Sequence, residues 1–125
     1  SRKIFSKFKL EELIDCNYID TIFREEQQLS FKLIINQFII SKSQVNNFEI
    51  INFRNKVDIS FLKELLTNEK EIKIKDFTDK EFIKKGSKIL ILLESGKYTF
   101  EDIEIMNKYI SLNSEKIIGW FYLKN

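Results

Sequence analysis

The feature that most constrains this chain is a strand–helix–strand pattern in its last third. Ile89-Leu90-Ile91-Leu92-Leu93 is an unbroken apolar run, the pattern of a strand covered on both faces. Glu94-Ser95-Gly96-Lys97 follows as a turn. Thr99 then stands where a helix N-cap belongs, with Asp102 at the reciprocal third position of a capping box. Phe100, Ile103, Met106 and Ile110 recur at helical spacing, with Glu101, Glu104, Lys108 and Ser111 on the opposite side and Glu104 placed to pair with Lys108. Asn113 closes the helix, and residues 117–123 form a second apolar run interrupted only by Gly119. Two buried strands around an amphipathic helix make a βαβ unit with a right-handed crossover. Glycine inside a buried strand implies close approach by another backbone or a bulky ring.

A length of 125 residues sets one domain with a single core. Hydrophobic residues at 43% and charged residues at 32% match a globular composition. No apolar run approaches the ~20 residues of a membrane-spanning helix. A net charge of +2 is too small to argue for nucleic acid. The single cysteine, Cys16, has no internal partner for a disulfide, which fits a reducing compartment. The chain has no histidine, which removes His-based catalysis and His-ligated metal sites. Alanine and proline are missing while isoleucine, lysine, asparagine and phenylalanine are in excess, a bias we attribute to an AT-rich bacterial genome. The chain begins at Ser1 rather than methionine and is read as a piece of a longer, membrane-associated protein.

Residues 1–9 are basic and interleaved with Ile4, Phe5 and Phe8. They read as a terminal segment tucked against the core, or else as a juxtamembrane stretch approaching anionic lipid. A short helix is predicted over 10–14 and extended chain over 17–23. Phe31, Ile34, Ile35 and Phe38 place a helix over 24–43, and the Asn46-Asn47 turn leads into a strand over 48–53. After a polar connection over 54–58, Phe61, Leu62, Leu65 and Leu66 mark a helix over 59–67. Ile72 and Ile74 alternate with lysines in a strand ending at Asp76. Thr78-Asp79-Lys80-Glu81 fits a capping box that opens a helix to Lys85, where Gly86 stops it. Regular alternation of helix and strand predicts one α/β domain over 1–125, a Rossmann-like, mainly parallel sheet with helices on both faces. Strands 89–93 and 117–123 are expected near its centre.

Gly96-Lys97-Tyr98-Thr99 lies between a strand and a helix, where a phosphate loop would be. Such a loop needs a glycine five residues earlier and a hydroxyl directly after the lysine. Ile91 and Tyr98 occupy those places, so a capped helix start is the simpler reading. Asp76 is where doubly wound folds put a magnesium-binding or catalytic carboxylate, but without a phosphate loop a turn-forming aspartate is the simpler reading. Lys97, Thr99 and Asp76 are therefore the nucleotide-site candidates, weak ones. Cys16 reads as an inert thiol, Glu11-Glu12 and Glu25-Glu26 as solvated faces, and Trp120, Phe121 and Tyr122 as core. No catalytic residue, metal site or cofactor is expected.

The segment order resembles the cytoplasmic domain of bacterial tyrosine kinases that accompany polysaccharide chain-length determinants. Helix 24–43 followed by strand 48–53 looks like the entry to that domain, and residues 10–22 are similar to its lead-in from the membrane. Asp76 in Ile74-Lys75-Asp76-Phe77-Thr78 is similar to the family's strand-ending aspartate. ILILLESGKYT, residues 89–99, resembles the later strand and its turn, and residues 117–123 resemble the terminal strand. Two features depart from the family: Arg54-Asn55-Lys56-Val57-Asp58-Ile59-Ser60 contains no glycine where the phosphate loop would stand, and the tyrosine-rich tail is missing.

The resemblance implies a degenerate, pseudokinase-like scaffold without catalysis. Such a module would be a regulatory domain at the cytoplasmic face of the bacterial inner membrane, tethered through segments outside this chain. It would work by protein–protein interaction or self-association, without nucleic acid. The alternatives are a free-standing small binding protein, such as an immunity or phage factor, and a nucleotide-dependent enzyme with an unrecognised site. The buried-strand reading of 89–93 has its own test. Ile91→Asp is expected to abolish cooperative folding, because an unpaired charge would enter the core. A denaturation curve with an unchanged midpoint would contradict it.

Overall fold

The computed structural model describes residues 2–23, 48–60, 72–79 and 87–124. In chain order these form β1 (Lys3–Ile4), α1 (Lys7–Leu13), β2 (Tyr18–Phe23), β3 (Phe48–Asn52), a 3-10 turn (Phe53–Asn55), β4 (Ile72–Lys75), β5 (Lys88–Glu94), β6 (Tyr98–Thr99), α2 (Phe100–Leu112) and β7 (Ile117–Lys124). Five strands pair side by side in the order β2-β7-β5-β3-β4, every pair parallel. The α/β, Rossmann-like sheet expected from the alternation is therefore present. β5 lies at its middle, with Ile91 level with Ile51 of β3 on one side and with Trp120 of β7 on the other.

The unbroken apolar run of β5 is explained by that position. Ile89, Leu90, Ile91, Leu92 and Leu93 have no exposed surface. Alternate residues face opposite sides, as the pleat requires. Ile89, Ile91 and Leu93 pack with Leu10 and Ile14 from α1 and its exit, and with Ile103, Met106 and Ile110 of α2. Leu90 and Leu92 join Ile22, Phe48, Ile50, Phe121 and Leu123 on the other face. Both described helices thus cover one face. The helices predicted over 24–43, 59–67 and 78–85, and the Glu25-Glu26 pair, lie outside the described residues.

Local sequence explains the elements that differ from expectation. The first helix starts at Lys7, not Leu10, because the Ser6 hydroxyl accepts the Lys9 N–H at 3.3 Å and caps it. The strand expected over 48–53 ends at Asn52, since Arg54 and Asn55 take positive φ angles of 55° and 53°. β4 ends at Lys75, and Asp76 begins a turn in which its carbonyl accepts the Asp79 N–H at 3.1 Å. α2 has the predicted box: the Thr99 hydroxyl accepts the Asp102 N–H and the Asp102 carboxylate accepts the Thr99 N–H. Glu104 and Lys108 are both exposed, and among the described residues no ion pair joins them.

One ionic contact sits inside the sheet layer. Lys75 Nζ of β4 lies 3.0 Å from Glu49 Oε1 of β3, the two side chains 8% and 6% exposed. A buried pair of this kind contributes little net stability, yet removing one partner leaves a costly unpaired charge.

Gly119 is where β2 meets β7. A Cβ there would lie 2.2 Å from the Asn17 carbonyl oxygen and 2.8 Å from Ile19 Cγ1. The Asn17 carbonyl approaches because it accepts the Trp120 N–H at 2.8 Å, beside an irregularity in the β2–β7 register between Tyr18 and Asp20. Gly119→Ala and Gly119→Val are both expected to destabilise the protein by about 1–3 kcal/mol through overpacking. Chemical denaturation checks this, and an unchanged midpoint for the alanine variant would show that β2 shifts freely.

Candidate functional site

In an open parallel sheet, ligands bind beyond the carboxyl ends of the strands, where the chain leaves two neighbours in opposite directions. Here that place is fixed by strand order. The next strand after β3 is β4 on one side, and the next sheet strand after β5 is β7 on the other. The crevice therefore opens between the exits of β3 and β5, residues 53–57 and 95–99.

The β3 exit is a tight loop closed by a buried side chain. Asn52 Nδ2 donates to the Val57 carbonyl at 2.9 Å, and Asn52 Oδ1 accepts the Val57 N–H at 3.0 Å. Within this ring Arg54 holds its left-handed conformation, which costs a non-glycine residue about 1–3 kcal/mol and persists only when its surroundings enforce it. The enforcing contacts are two carboxylates. The Arg54 N–H donates to Asp76 Oδ1 at 2.6 Å, and Arg54 Nε lies 3.1 Å from Asp102 Oδ1. Asp76 uses its other oxygen to accept the Thr78 hydroxyl at 2.5 Å. Below the loop, Phe53 stacks on Phe77 at 4.5 Å between ring centroids, and Phe77 meets the edge of Tyr109 at 6.0 Å.

The β5 exit is engaged as fully. Gly96, at φ 73°, donates its N–H to the Ile4 carbonyl at 3.1 Å. Strand β1 continues this contact by pairing antiparallel with β6, Lys3 opposite Thr99 and Ile4 opposite Tyr98. The N-terminal segment is thus a strap across the carboxyl edge, a placement that the terminal-segment reading of 1–9 does not specify. The Thr99 N–H is taken by Asp102 Oδ2 at 2.9 Å, and the Asp102 N–H by the Thr99 hydroxyl at 3.2 Å. Tyr98 is fully buried and its hydroxyl accepts the Glu94 N–H at 3.2 Å.

Each sequence candidate has a definite place. Lys97 extends from the turn with its Nζ 3.9 Å from Glu94 Oε2. Thr99 caps α2. Asp76 clasps the β3 loop to the turn after β4. The structure brings Asp76 together with Arg54 and Asp102, a grouping that sequence reasoning missed; Arg54 carries no local signal of partners so far along the chain. Among the described residues no group of three or more His, Cys, Asp or Glu side chains could hold a metal ion.

Burial governs the titrating groups nearby. It pushes the Tyr98 hydroxyl well above its usual value, reinforced by the charges of Glu94 and Asp102 and offset in part by the Glu94 backbone hydrogen bond. Burial, with a smaller contribution from the Glu49 charge, raises Tyr109 to about 12. Cys16 rises to about 12 through burial and the neighbouring Asp15, which keeps the thiol protonated and unreactive at neutral pH.

Beyond β7 the same edge is open. A groove of about 660 Å³ is lined by Phe5, Lys7, Thr21, Phe23, Ser95, Tyr122 and Lys124. Phe5 is held there by Gly96, where a Cβ would come 2.5 Å from its ring, and its carbonyl accepts the Ser95 hydroxyl at 2.9 Å.

Compared with known proteins, the chain matches no family model, no curated protein and no solved structure.

The tyrosines generate a pH prediction. A hydroxyl whose value is higher in the folded than in the unfolded protein stabilises the fold fully below the unfolded value and loses that contribution as pH rises through the folded one. For Tyr109 the window runs from 10.0 to about 12. Thermal melts are expected to fall across it, and Tyr109→Phe to fall less steeply than the parent protein. Identical slopes would contradict the assignment.

Proposed function

We propose that this chain is a non-catalytic interaction domain of a bacterial polysaccharide chain-length determinant, acting at the inner face of the membrane. The observation that supports it is the state of the turn after β5. The amides of Gly96, Thr99 and Asp102, which an anion-binding turn would aim at phosphate, are taken by the Ile4 carbonyl, the Asp102 carboxylate and the Thr99 hydroxyl. Asp102 and Asp76 would also present negative charge to a nucleotide entering the crevice, and Arg54 is turned onto those two carboxylates. A scaffold whose turn amides are already paired within the chain is suited to contacts with other proteins rather than to phosphoryl transfer, which depends on converging amides, a lysine and a magnesium-holding group.

The resemblance of residues 89–99 and 117–123 to the chain-length-associated kinases supplies the biological setting. Calorimetric titration with Mg-ATP is expected to show no binding in the low micromolar range. Deleting the gene is expected to change the length distribution of a surface polysaccharide resolved by gel electrophoresis. Tight Mg-ATP binding lost on Lys97→Ala or Asp76→Ala would restore the enzyme reading, and an unchanged polysaccharide distribution would remove the chain-length role.

A further inference from the structure

The exposed large apolar side chains are unevenly placed. Phe5, Phe8, Phe23 and Phe100 are 69%, 69%, 51% and 50% exposed. Phe23 closes β2, Phe5 lines the groove beside it, Phe8 is in the first turn of α1, and Phe100 opens α2 directly after the strap pairs with β6. Because the sheet is parallel, all four belong to its carboxyl edge. Leu112, 84% exposed, ends α2 at the opposite edge.

Cations accompany these rings. Arg2, Lys3 and Lys124 are exposed at the same edge. Lys7 and Lys9 lie between and beside Phe5 and Phe8, 3.1 Å from Glu11 and 3.4 Å from Glu12. On this edge Glu94 is 2% exposed and Asp102 is occupied by Arg54. Glu101 is exposed beside Phe100, and Glu11 and Glu12 offset Lys7 and Lys9. The positive charge is therefore confined to the strap side of the edge and comes from Arg2, Lys3 and Lys124.

A rim of phenylalanine rings set among lysines meets the requirements of a bilayer interface. The rings enter the acyl boundary while the ammonium groups remain at the level of anionic headgroups. We propose that the carboxyl edge of this sheet docks on an anionic membrane surface, Phe5, Phe8, Phe23 and Phe100 inserting and the strap's cations contacting headgroups. This deepens the interaction-domain reading and rests on it for its setting. It fails separately, because vesicle binding measures the rim alone whereas polysaccharide length measures the module.

The test is co-sedimentation of the purified protein with vesicles of phosphatidylcholine, with and without about a third phosphatidylglycerol. Binding is expected only with the anionic lipid and is expected to weaken as salt rises. The double variant Phe8→Ser/Phe100→Ser, both exposed positions, is expected to lose at least about tenfold in partitioning, a difference of about 1.4 kcal/mol. Leu112→Ser should bind as the parent does, and circular dichroism melts confirm that all variants fold. Absence of binding to anionic vesicles, equal binding of the double variant, or equal loss in Leu112→Ser would overturn the proposal. So would capture of soluble polyglutamate with undiminished strength by the double variant, which would make the rim a site for acidic protein.

Discussion

Five consecutive side chains of β5, Ile89 to Leu93, are removed entirely from water, and a strand in that state must be hydrogen-bonded on both edges and covered on both faces. β3 and β7 supply the edges. α1 and α2 supply cover on one face through Leu10, Ile14, Ile103, Met106 and Ile110. Each fully buried aliphatic side chain contributes roughly 1.5–3 kcal/mol, so this strand alone represents a large part of the driving force for collapse. Once β5 is central, the exits of β3 and β5 diverge, and the crevice at the carboxyl edge follows from topology rather than from any residue chosen for it.

The contacts made across that crevice then decide what the fold can do. The strap, the Asn52–Val57 ring and the Arg54 contacts with Asp76 and Asp102 tie together three separate strand exits and the start of α2. The strain of Arg54 in a left-handed conformation is held by these contacts. The strap and the Thr99–Asp102 capping box also take the amides of Gly96, Thr99 and Asp102. A parallel sheet offers its carboxyl edge as a binding place by default; this chain closes one half of that edge with its own groups and leaves the other half open and aromatic.

Much of the fold was legible because its signals are local. The apolar run of 89–93, the helical spacing of Phe100 to Ile110 and the reciprocal Thr99–Asp102 cap lie within a few residues of one another. The candidate site was harder to read. Lys97, Thr99 and Asp76 could be picked out as residue types at strand ends, but their amides' and carboxylates' partners could not. Nothing around Phe5 announces that its ring rests on Gly96, since that contact crosses nearly the whole chain. The Ser6 cap carries no clear signal, because the basic residues around it conceal the start of an otherwise amphipathic helix.

By itself, the sequence determined that the chain is α/β, that strands 89–93 and 117–123 are buried, and that Gly119 meets something close, because periodicity and residue size act at short range. The tertiary structure alone decided that β2 joins the sheet beside β7, that the Asn17 carbonyl is what Gly119 meets, and that the strap crosses the edge where a ligand would bind. Those choices depend on hydrogen bonds and surfaces contributed from both ends of the chain, and complementary partners so far apart leave no pattern in the neighbouring residues.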